Sequence, residues 1–290
     1  MMYVAAILGA FIASISPFWG LIVIITYGGK YRDQFYRFLI FFLVAEVLLK
    51  VLNIVDFLTF TDVFFVVGAA TLLYFSIYKR NGFHLAAILA AYVLNIVYAV
   101  IRHLVFGTMI TENIGKMINT YRDMLENTWQ SNSDQLAVAL QILESSRQIF
   151  AKYYLGIWLL SIAFGLYCGT LIFSKQNIQK WHHKLIRLPY EMVYLVIATL
   201  VMFLIPNTRD LGINLLLILA PLFLIQGISI LDFFWGNFFR KSKLLLFLLI
   251  ISVVFNYFIL SLIALFGLLD IWLNFRKIRV MEDIDENHSG

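Results

Sequence analysis

The sequence predicts an all-α integral membrane protein: a polytopic bundle of transmembrane helices with an extramembrane amphipathic helical hairpin. Of its 290 residues, 62% are hydrophobic and 13% are charged, against about 25% charged residues in soluble domains. The 27 Phe, 15 Tyr and 6 Trp lie among long aliphatic runs and are too many for one water-surrounded core. One long polar segment interrupts these runs and supplies the hairpin.

Each apolar run of about 20 residues predicts one span, and about eight such runs occur. They cover residues 3–27, 35–53, 57–78, 85–106, 154–173, 190–205, 211–239 and 244–275. Pro17 interrupts the first run, which predicts either one kinked helix or two half-helices and leaves the side of the N-terminus open. The last two runs exceed the length of a span, so we expect breaks at Pro221 and Gly267.

The basic residues predict the orientation. Span parity places slightly more than half of the Lys and Arg residues on one side, which the positive-inside rule makes cytoplasmic. These residues are Lys30, Arg32, Arg37, Lys79, Arg80, Lys175, Lys180, Lys184, Arg187, Arg240, Lys241 and Lys243. The basic end of the last run falls on the opposite side, unless Gly267 ends the span and the chain turns back.

The polar segment, residues 111–152, carries apolar residues at three- and four-residue spacing, which predicts two amphipathic helices. A turn at 131–134 joins them. We expect the hairpin to lie on the membrane or on its own bundle; a cap over a binding site or a partner-docking element is the alternative. The predicted domains are an N-terminal transmembrane bundle (1–108), the hairpin (109–152), a C-terminal transmembrane bundle (153–279) and an acidic disordered tail (280–290).

Charged residues within apolar runs are candidates for a ligand site, because an unpaired charge in hydrocarbon costs about 3 kcal/mol or more. Glu46, Lys50 and Asn53 share one stripe of a helix, since they are about one turn apart. The alternative is a Glu46–Lys50 ion pair near a helix end, with the lysine reaching the interface.

Span parity places further polar residues on the same side as Lys50, namely Arg102, His103 and Asp270. Together they could surround a polar cavity under the hairpin that binds a small molecule. We expect Asp270 to point towards Arg209 or Arg102, because a lone carboxylate there would be neutralised or paired. The alternative is that helix ends are simply polar.

Other site classes are disfavoured. The net charge of +5 reflects loop charge in a membrane protein, so nucleic acid is not an expected partner. The only cysteine, Cys168, lies in an apolar run, which excludes an internal disulfide and a cysteine zinc site. Trp181, His182, His183 and Lys184 predict an interfacial anchor rather than a metal site. Catalytic signatures are absent from the sequence, so we expect no enzyme activity, no cofactor and no metal.

The C-terminal third resembles the YybS-like family of bacterial membrane proteins, which has no assigned biochemical activity. The resemblance rests on Leu222-Phe223-Leu224-Ile225-Gln226-Gly227 and on residues 267–277, and the Tyr27-Gly28 step also matches. It implies a multi-pass protein of the bacterial cytoplasmic membrane. It also implies a distant relation to the S components of energy-coupling-factor vitamin transporters, whose first helix contacts a transmembrane partner through an Ala-x-x-x-Ala line. Ala6 and Ala10 match that spacing.

Two functions follow as hypotheses. The first is a small-molecule-binding transport subunit that resembles S components, uses the polar cavity for its ligand and contacts a transmembrane partner through its first helix. The second is a non-transporting scaffold or assembly factor of the bacterial envelope, which holds other proteins through the basic loop and the hairpin. Membrane lipid is a partner in both.

Overall fold

The computed structural model describes residues 1–82, 84–128, 133–176, 183–234 and 257–277, and these residues form helices and turns without strands. The helices are α1 (Met2–Ile15), α2 (Pro17–Lys30), α3 (Phe35–Val51), α4 (Phe57–Asp62), α5 (Ala70–Asn81), α6 (His84–Thr128), α7 (Ser133–Gln176), α8 (Met192–Leu204), α9 (Arg209–Phe234) and α10 (Tyr257–Leu273). A π-helical segment, Val63–Ala69, joins α4 to α5. The predicted all-α class is confirmed.

The chain divides into two compact units. Unit one comprises the described residues of Met1–Gln179 and Phe203–Ile218, and unit two those of Lys180–Met202 and Leu219–Gly290. The predicted domain boundaries stay predictions, and the predicted tail, together with Trp181 and His182, lies outside the described residues.

Among the described residues, four helices are long and apolar enough to cross a membrane, namely Phe57–Arg80, His84–Thr128, Gln135–Ser174 and Pro206–Phe234. Three shorter apolar helices are Met2–Ile15, Met192–Leu204 and Phe258–Leu273. The predicted count of about eight spans is therefore not confirmed. The first run is divided between two helices, and part of the last run lies outside the described residues.

The first apolar run folds as two half-helices. Ser16 takes an extended conformation between α1 and α2, and Pro17 begins α2, where its missing N–H costs no hydrogen bond. The two helices pack antiparallel, because Gly20 lies against Ala13 while Gly9 lies against Ile24. Each has 14 residues and is therefore about 21 Å long, shorter than a hydrocarbon core of about 30 Å.

Unit one gathers five helix ends in one aromatic cluster. In this unit α2 packs on α7, α7 on α6, α6 on α5, and α3 on α1. The cluster forms where α2, α5 and α7 end and where α3 and α6 begin, and its rings belong to Phe35, Tyr74, Phe75, Tyr78, His84 and Phe173. Lys30, Arg32, Lys79 and Arg80 lie in the helix ends and the turn beside it. We call this end of unit one the basic end.

The predicted amphipathic hairpin consists of the distal halves of α6 and α7, which are continuous with the apolar helices beneath them. α6 has 45 residues and α7 has 44, so each is about 67 Å long, roughly twice the thickness of a hydrocarbon core. α6 continues through Gly107, which follows the apolar run, and the Thr111 hydroxyl donates to the Gly107 carbonyl at 2.8 Å. Ile110 and Ile118 are buried, and Arg122 pairs with Glu144 at 3.4 Å.

Unit two is built around the second half of α9, in which every residue from 221 to 230 is buried. The expected breaks at Pro221 and Gly267 are wrong, because α9 and α10 continue through these residues. Gly267 serves close packing instead: a Cβ on it would lie 1.9 Å from the Phe223 carbonyl oxygen. Gly227 has the same role, since a Cβ on it would lie 2.0 Å from the Ile263 carbonyl oxygen.

Candidate functional site

A buried ion pair in unit one is the clearest charged site. Asp62 ends α4, and its carboxylate receives hydrogen bonds from Arg102 Nε at 2.7 Å and Nη2 at 2.8 Å. Tyr98, one turn before Arg102 on α6, donates to the same carboxylate at 2.8 Å. The guanidinium carbon of Arg102 lies 4.6 Å from the centroid of the Trp158 ring on α7. We call these four residues the Asp62 cluster.

The backbone around Asp62 is unusual. The π-helical segment begins at the next residue and extends for seven residues. Such segments are rare and occur frequently at functional sites. Phe65 of this segment stacks on Tyr98 at 5.0 Å, which fixes the tyrosine beneath the carboxylate. The side chains of Arg102 and Asp62 are only 11% and 8% exposed, so the pair is closed and offers its charges to each other rather than to a ligand.

Sequence reasoning identified Arg102 but missed Asp62. Both are charged residues within apolar runs, yet 40 positions separate them, and no spacing rule connects two residues of different helices. His103, adjacent to Arg102, is instead hydrogen-bonded to the hydroxyl of Tyr154, and this contact is exposed. The two predicted site residues therefore have different partners.

A polar belt continues from α7 to the first turns of α9 within unit one. Asp210 accepts a hydrogen bond from Tyr153 at 2.9 Å and pairs with Lys152 at 3.5 Å. Asn214 donates to the Lys152 carbonyl at 3.0 Å and accepts from the Gly156 amide at 3.2 Å. These contacts are exposed or partly exposed, so we expect them to orient α9 on α7 rather than to form a pocket.

Glu46 is fully buried and faces the end of α1. Ser14 Oγ lies 3.1 Å from Glu46 Oε1 and 3.0 Å from the Ala10 carbonyl oxygen. The Glu46 carboxylate and the Ala10 carbonyl are thus two acceptors within reach of the single Ser14 hydroxyl proton. The alternative ion pair with Lys50 is wrong, because Lys50 Nζ lies over the Phe57 ring at 6.0 Å from its centroid.

Asn53 ends a helix. It has a left-handed conformation with φ 55°, and its amide donates to the Lys50 carbonyl at 3.0 Å. The Ile54 amide donates to the Leu49 carbonyl at 2.9 Å. Together these two bonds form a Schellman motif, in which Asn is the usual substitute for Gly. The predicted stripe of Glu46, Lys50 and Asn53 thus divides into three residues with three different partners.

Asp270 is buried and paired in unit two, but its expected partners were wrong. α10 ends at Leu273, and left-handed Asn274 turns the chain so that Arg276 returns to Asp270 at 2.7 Å. Neither Arg209 nor Arg102 is the partner, because a helix end followed by a tight turn supplies a cation only six residues away.

Arg276 uses all five of its N–H donors. It donates to Asp270 twice, to Ser229 Oγ at 2.7 Å, to the Lys184 carbonyl at 2.8 Å and to the Ile186 carbonyl at 2.6 Å. Gln226 donates to Asp270 at 3.2 Å and accepts from the Leu188 amide at 2.8 Å. These hydrogen bonds attach Arg276 and Asp270 to α9 and to residues 184–188.

The remaining predicted residues lie in the interior. Ala6 and Ala10 are fully buried within the chain, on the helix that packs against α2 and α3. Their contact with a partner subunit stays a prediction. His183 Nδ1 lies 3.5 Å from Asp232 Oδ2, and within the described part of the chain no group of three His, Cys, Asp or Glu residues is arranged to hold a metal.

Comparison with known proteins identifies a family for this chain. No curated protein and no solved structure matches the chain. A family model with the description "Predicted membrane protein (DUF2232)" matches residues 1–271. This finding agrees with the resemblance to a multi-pass membrane-protein family without an assigned activity. Because the match covers nearly the whole chain, the protein belongs to this DUF2232 family of membrane proteins.

Proposed function

We propose that the protein is a non-transporting scaffold or assembly factor of the bacterial cytoplasmic membrane, which holds another envelope protein through the distal part of the α6–α7 hairpin. The observation that carries the proposal is a set of exposed apolar side chains on this hairpin, namely Met117, Tyr121 and Met124 of α6 and Val138 and Ile142 of α7. We call it the hairpin surface. Tyr121 is 51% exposed and Ile142 is 63% exposed.

Helix length argues against lipid as the natural cover of the hairpin surface. With His84 at one membrane boundary, about 20 residues of α6 fill the hydrocarbon core, so residues beyond about 106 lie outside it. Arg102 and His103 are polar at the expected second boundary. Exposed apolar side chains that cluster in water are a recognised mark of a protein interaction site. Because Met117, Tyr121 and Met124 follow each other by four and three positions, they form one face of α6.

The buried polar residues support the scaffold over a ligand site. Arg102 is neutralised by Asp62, and Asp270 by Arg276. Asn53 is used to end α3. Charged side chains that are already paired inside the protein have little to offer to a small molecule. The hairpin surface, in contrast, consists of side chains without an equivalent cover.

Orientation follows from the basic end. Lys30, Arg32, Lys79 and Arg80 gather where α2 and α5 end, and the positive-inside rule favours the cytoplasm for that side. α6 leaves the basic end and carries the hairpin to the opposite side. The proposed partner is therefore a protein at the outer face of the cytoplasmic membrane.

Site-specific photo-crosslinking in intact cells tests this function. A photoreactive amino acid at position 121 or 142 should give an adduct of one defined mass with a different polypeptide. The control is position 123, an exposed polar site on another face of α6. Replacement of both Tyr121 and Ile142 by Ser should abolish the adduct formed from position 117 while the protein remains in the membrane. Equal adducts from position 123, or adducts with a second copy of this chain only, would contradict the scaffold.

A second candidate, the small-molecule-binding transport subunit, is favoured by one observation. Glu46 is a fully buried carboxyl group beside the interrupted helices α1 and α2. Ionisable residues within membrane-spanning regions frequently mark substrate or ion pathways. Native mass spectrometry of the purified protein should then show a bound small molecule that Glu46→Leu removes and that Lys50→Leu retains. If wild-type protein purified from several growth conditions shows no bound small molecule in the spectrum, this candidate is excluded.

A further inference from the structure

We propose that the basic end of unit one binds the headgroup of an anionic phospholipid, and that Lys30, Arg32, Lys79 and Arg80 supply its cations. Lys30 ends α2, and Arg32 begins the short 3-10 turn Arg32–Gln34 that follows it. Lys79 and Arg80 lie in the last turn of α5. The ligand is recognised by its phosphate charge and by its place at the membrane surface. This inference is independent of the proposed scaffold function.

Crossed contacts hold the two cationic segments side by side. Lys79 of α5 lies over the ring of Tyr36 in α3, with 4.6 Å between Nζ and the ring centroid, and it lies 5.8 Å from the centroid of Phe35. Arg32 lies over the ring of Tyr78 in α5, at 5.8 Å from its centroid. A cation within about 6 Å of a ring centroid is attracted by the ring face. Arg32, just before α3, thus lies over a ring of α5, and Lys79 of α5 lies over a ring of α3.

No carboxylate of the described residues neutralises these cations. All four are exposed, and within the described residues none of them forms an ion pair. The nearest carboxylate in the sequence, Asp33, lies in the same turn and forms no ion pair with them either. Elsewhere in unit one, Arg102, Arg122 and Lys152 all pair with a carboxylate. Like charges held together repel each other, so a bound anion would stabilise this end.

The surface next to the cations suits the rest of a lipid molecule. Tyr36 is exposed although its ring contacts Lys79, and tyrosine is enriched at the headgroup level of membranes. Ile40 of α3 and Leu72 of α5 lie farther from the basic end and are also exposed. A phosphate at the cations would leave acyl chains running along these apolar side chains. A soluble phosphate ion would use the cations alone, and so the apolar surface favours a lipid.

Titration of the full-length protein in detergent with phosphatidylglycerol or phosphatidylcholine tests the site, with the unfolding temperature and the lipids retained in native mass spectra as measurements. Phosphatidylglycerol should raise the unfolding temperature and remain bound. The double variant Arg32→Gln, Lys79→Gln should bind it about 30-fold more weakly, since each basic side chain near an anionic surface contributes about five-fold. The matched control, Lys50→Gln with Lys116→Gln, removes two cations elsewhere and should bind as wild type.

Three outcomes would overturn the proposal. They are equal stabilisation by phosphatidylcholine, an equal loss of binding in the control variant, and full stabilisation by inorganic phosphate, which would assign the site to a soluble anion. If the double variant does not fold, the charge-retaining variant Arg32→Lys, Lys79→Arg and the single variant Arg80→Gln replace it. The charge-retaining variant should still bind phosphatidylglycerol, and Arg80→Gln should bind it more weakly. Lost binding in the charge-retaining variant together with unchanged binding in Arg80→Gln would reject the site.

Discussion

Individual residues at charged sites show where sequence reasoning succeeds. Arg102 and Asp270 stand out because a charge within an apolar run is costly unless it is paired. Their partners, Asp62 and Arg276, follow from tertiary distance and from a turn after α10, which the linear pattern does not encode. Asn53 carried a readable signal, since Asn at the end of an apolar helix is a frequent left-handed terminator. Only the positive φ angle of Asn53 distinguishes a helix-terminating role from a ligand-binding role.

The Asp62 cluster predicts strong coupling between two substitutions. Arg102→Leu should lower the free energy of unfolding by about 3–5 kcal/mol, because it leaves Asp62 buried without a cation. The double variant Asp62→Leu, Arg102→Leu should recover most of this loss. Thermal or denaturant unfolding of the purified protein in detergent measures both. Additive losses in the double variant would show that the two side chains do not act as a pair.

Asn53 offers a test that separates a structural role from a ligand role. Asn53→Gly should preserve stability, because glycine adopts the left-handed conformation readily, whereas Asn53→Val should cost about 1–2 kcal/mol. Unfolding temperatures of the two variants give the comparison. A loss of stability in the glycine variant comparable to that in the valine variant would mean that the Asn53 side chain, rather than its backbone angle, is what matters.

At the scale of elements, composition located the apolar runs, and packing decided where they end. Pro17 begins a new helix, whereas Pro221 lies inside α9. The sequence around a proline does not state which outcome occurs, since neighbouring helices can stabilise a helix that proline weakens. Gly267 similarly serves the approach of α10 to α9 rather than a break. The helices predicted in the polar segment are present, but they are continuous with the apolar helices, which the sequence pattern did not indicate.

Two glycines in different helices should respond oppositely to alanine. Gly267→Ala should destabilise the protein, because its Cβ would lie 1.9 Å from the Phe223 carbonyl oxygen. Gly115→Ala is the matched control: no atom lies within 4 Å of the added Cβ, so the higher helix propensity of alanine should stabilise α6 by about 0.5–1 kcal/mol. Circular-dichroism melting in detergent compares them. Stabilisation by both changes would remove the role assigned to Gly267.

For the whole molecule, the sequence predicts that this is a membrane protein, but it does not predict on which side of the membrane each helix end lies. Hydropathy predicts a membrane protein, and the family match confirms that class. Span parity depends on every helix being counted correctly, and the division of the first run into α1 and α2 changes that count. A short antiparallel pair returns the chain to the side from which it came, whereas one long helix does not.

Cysteine labelling of intact cells tests this topology. A cysteine placed immediately before Met1 and another at Asp33 should be protected together from a membrane-impermeant reagent, because α1 and α2 return to the basic end. A cysteine at Thr128, near the tip of the hairpin, should react. Reaction at Met1 with protection at Asp33 would mean that the first run crosses the membrane as a single span.

The unbroken length of α6 and α7 also has a mechanical consequence. A helix without a hinge between the bilayer and its tip works as a lever, so a small reorientation of the embedded portion becomes a large displacement at the far end. With about 35 Å beyond the hydrocarbon core, a tilt of about 10° would move the tip by about 6 Å. A protein bound to the tip, as proposed above, would therefore be displaced by a change in helix tilt without itself contacting the bilayer.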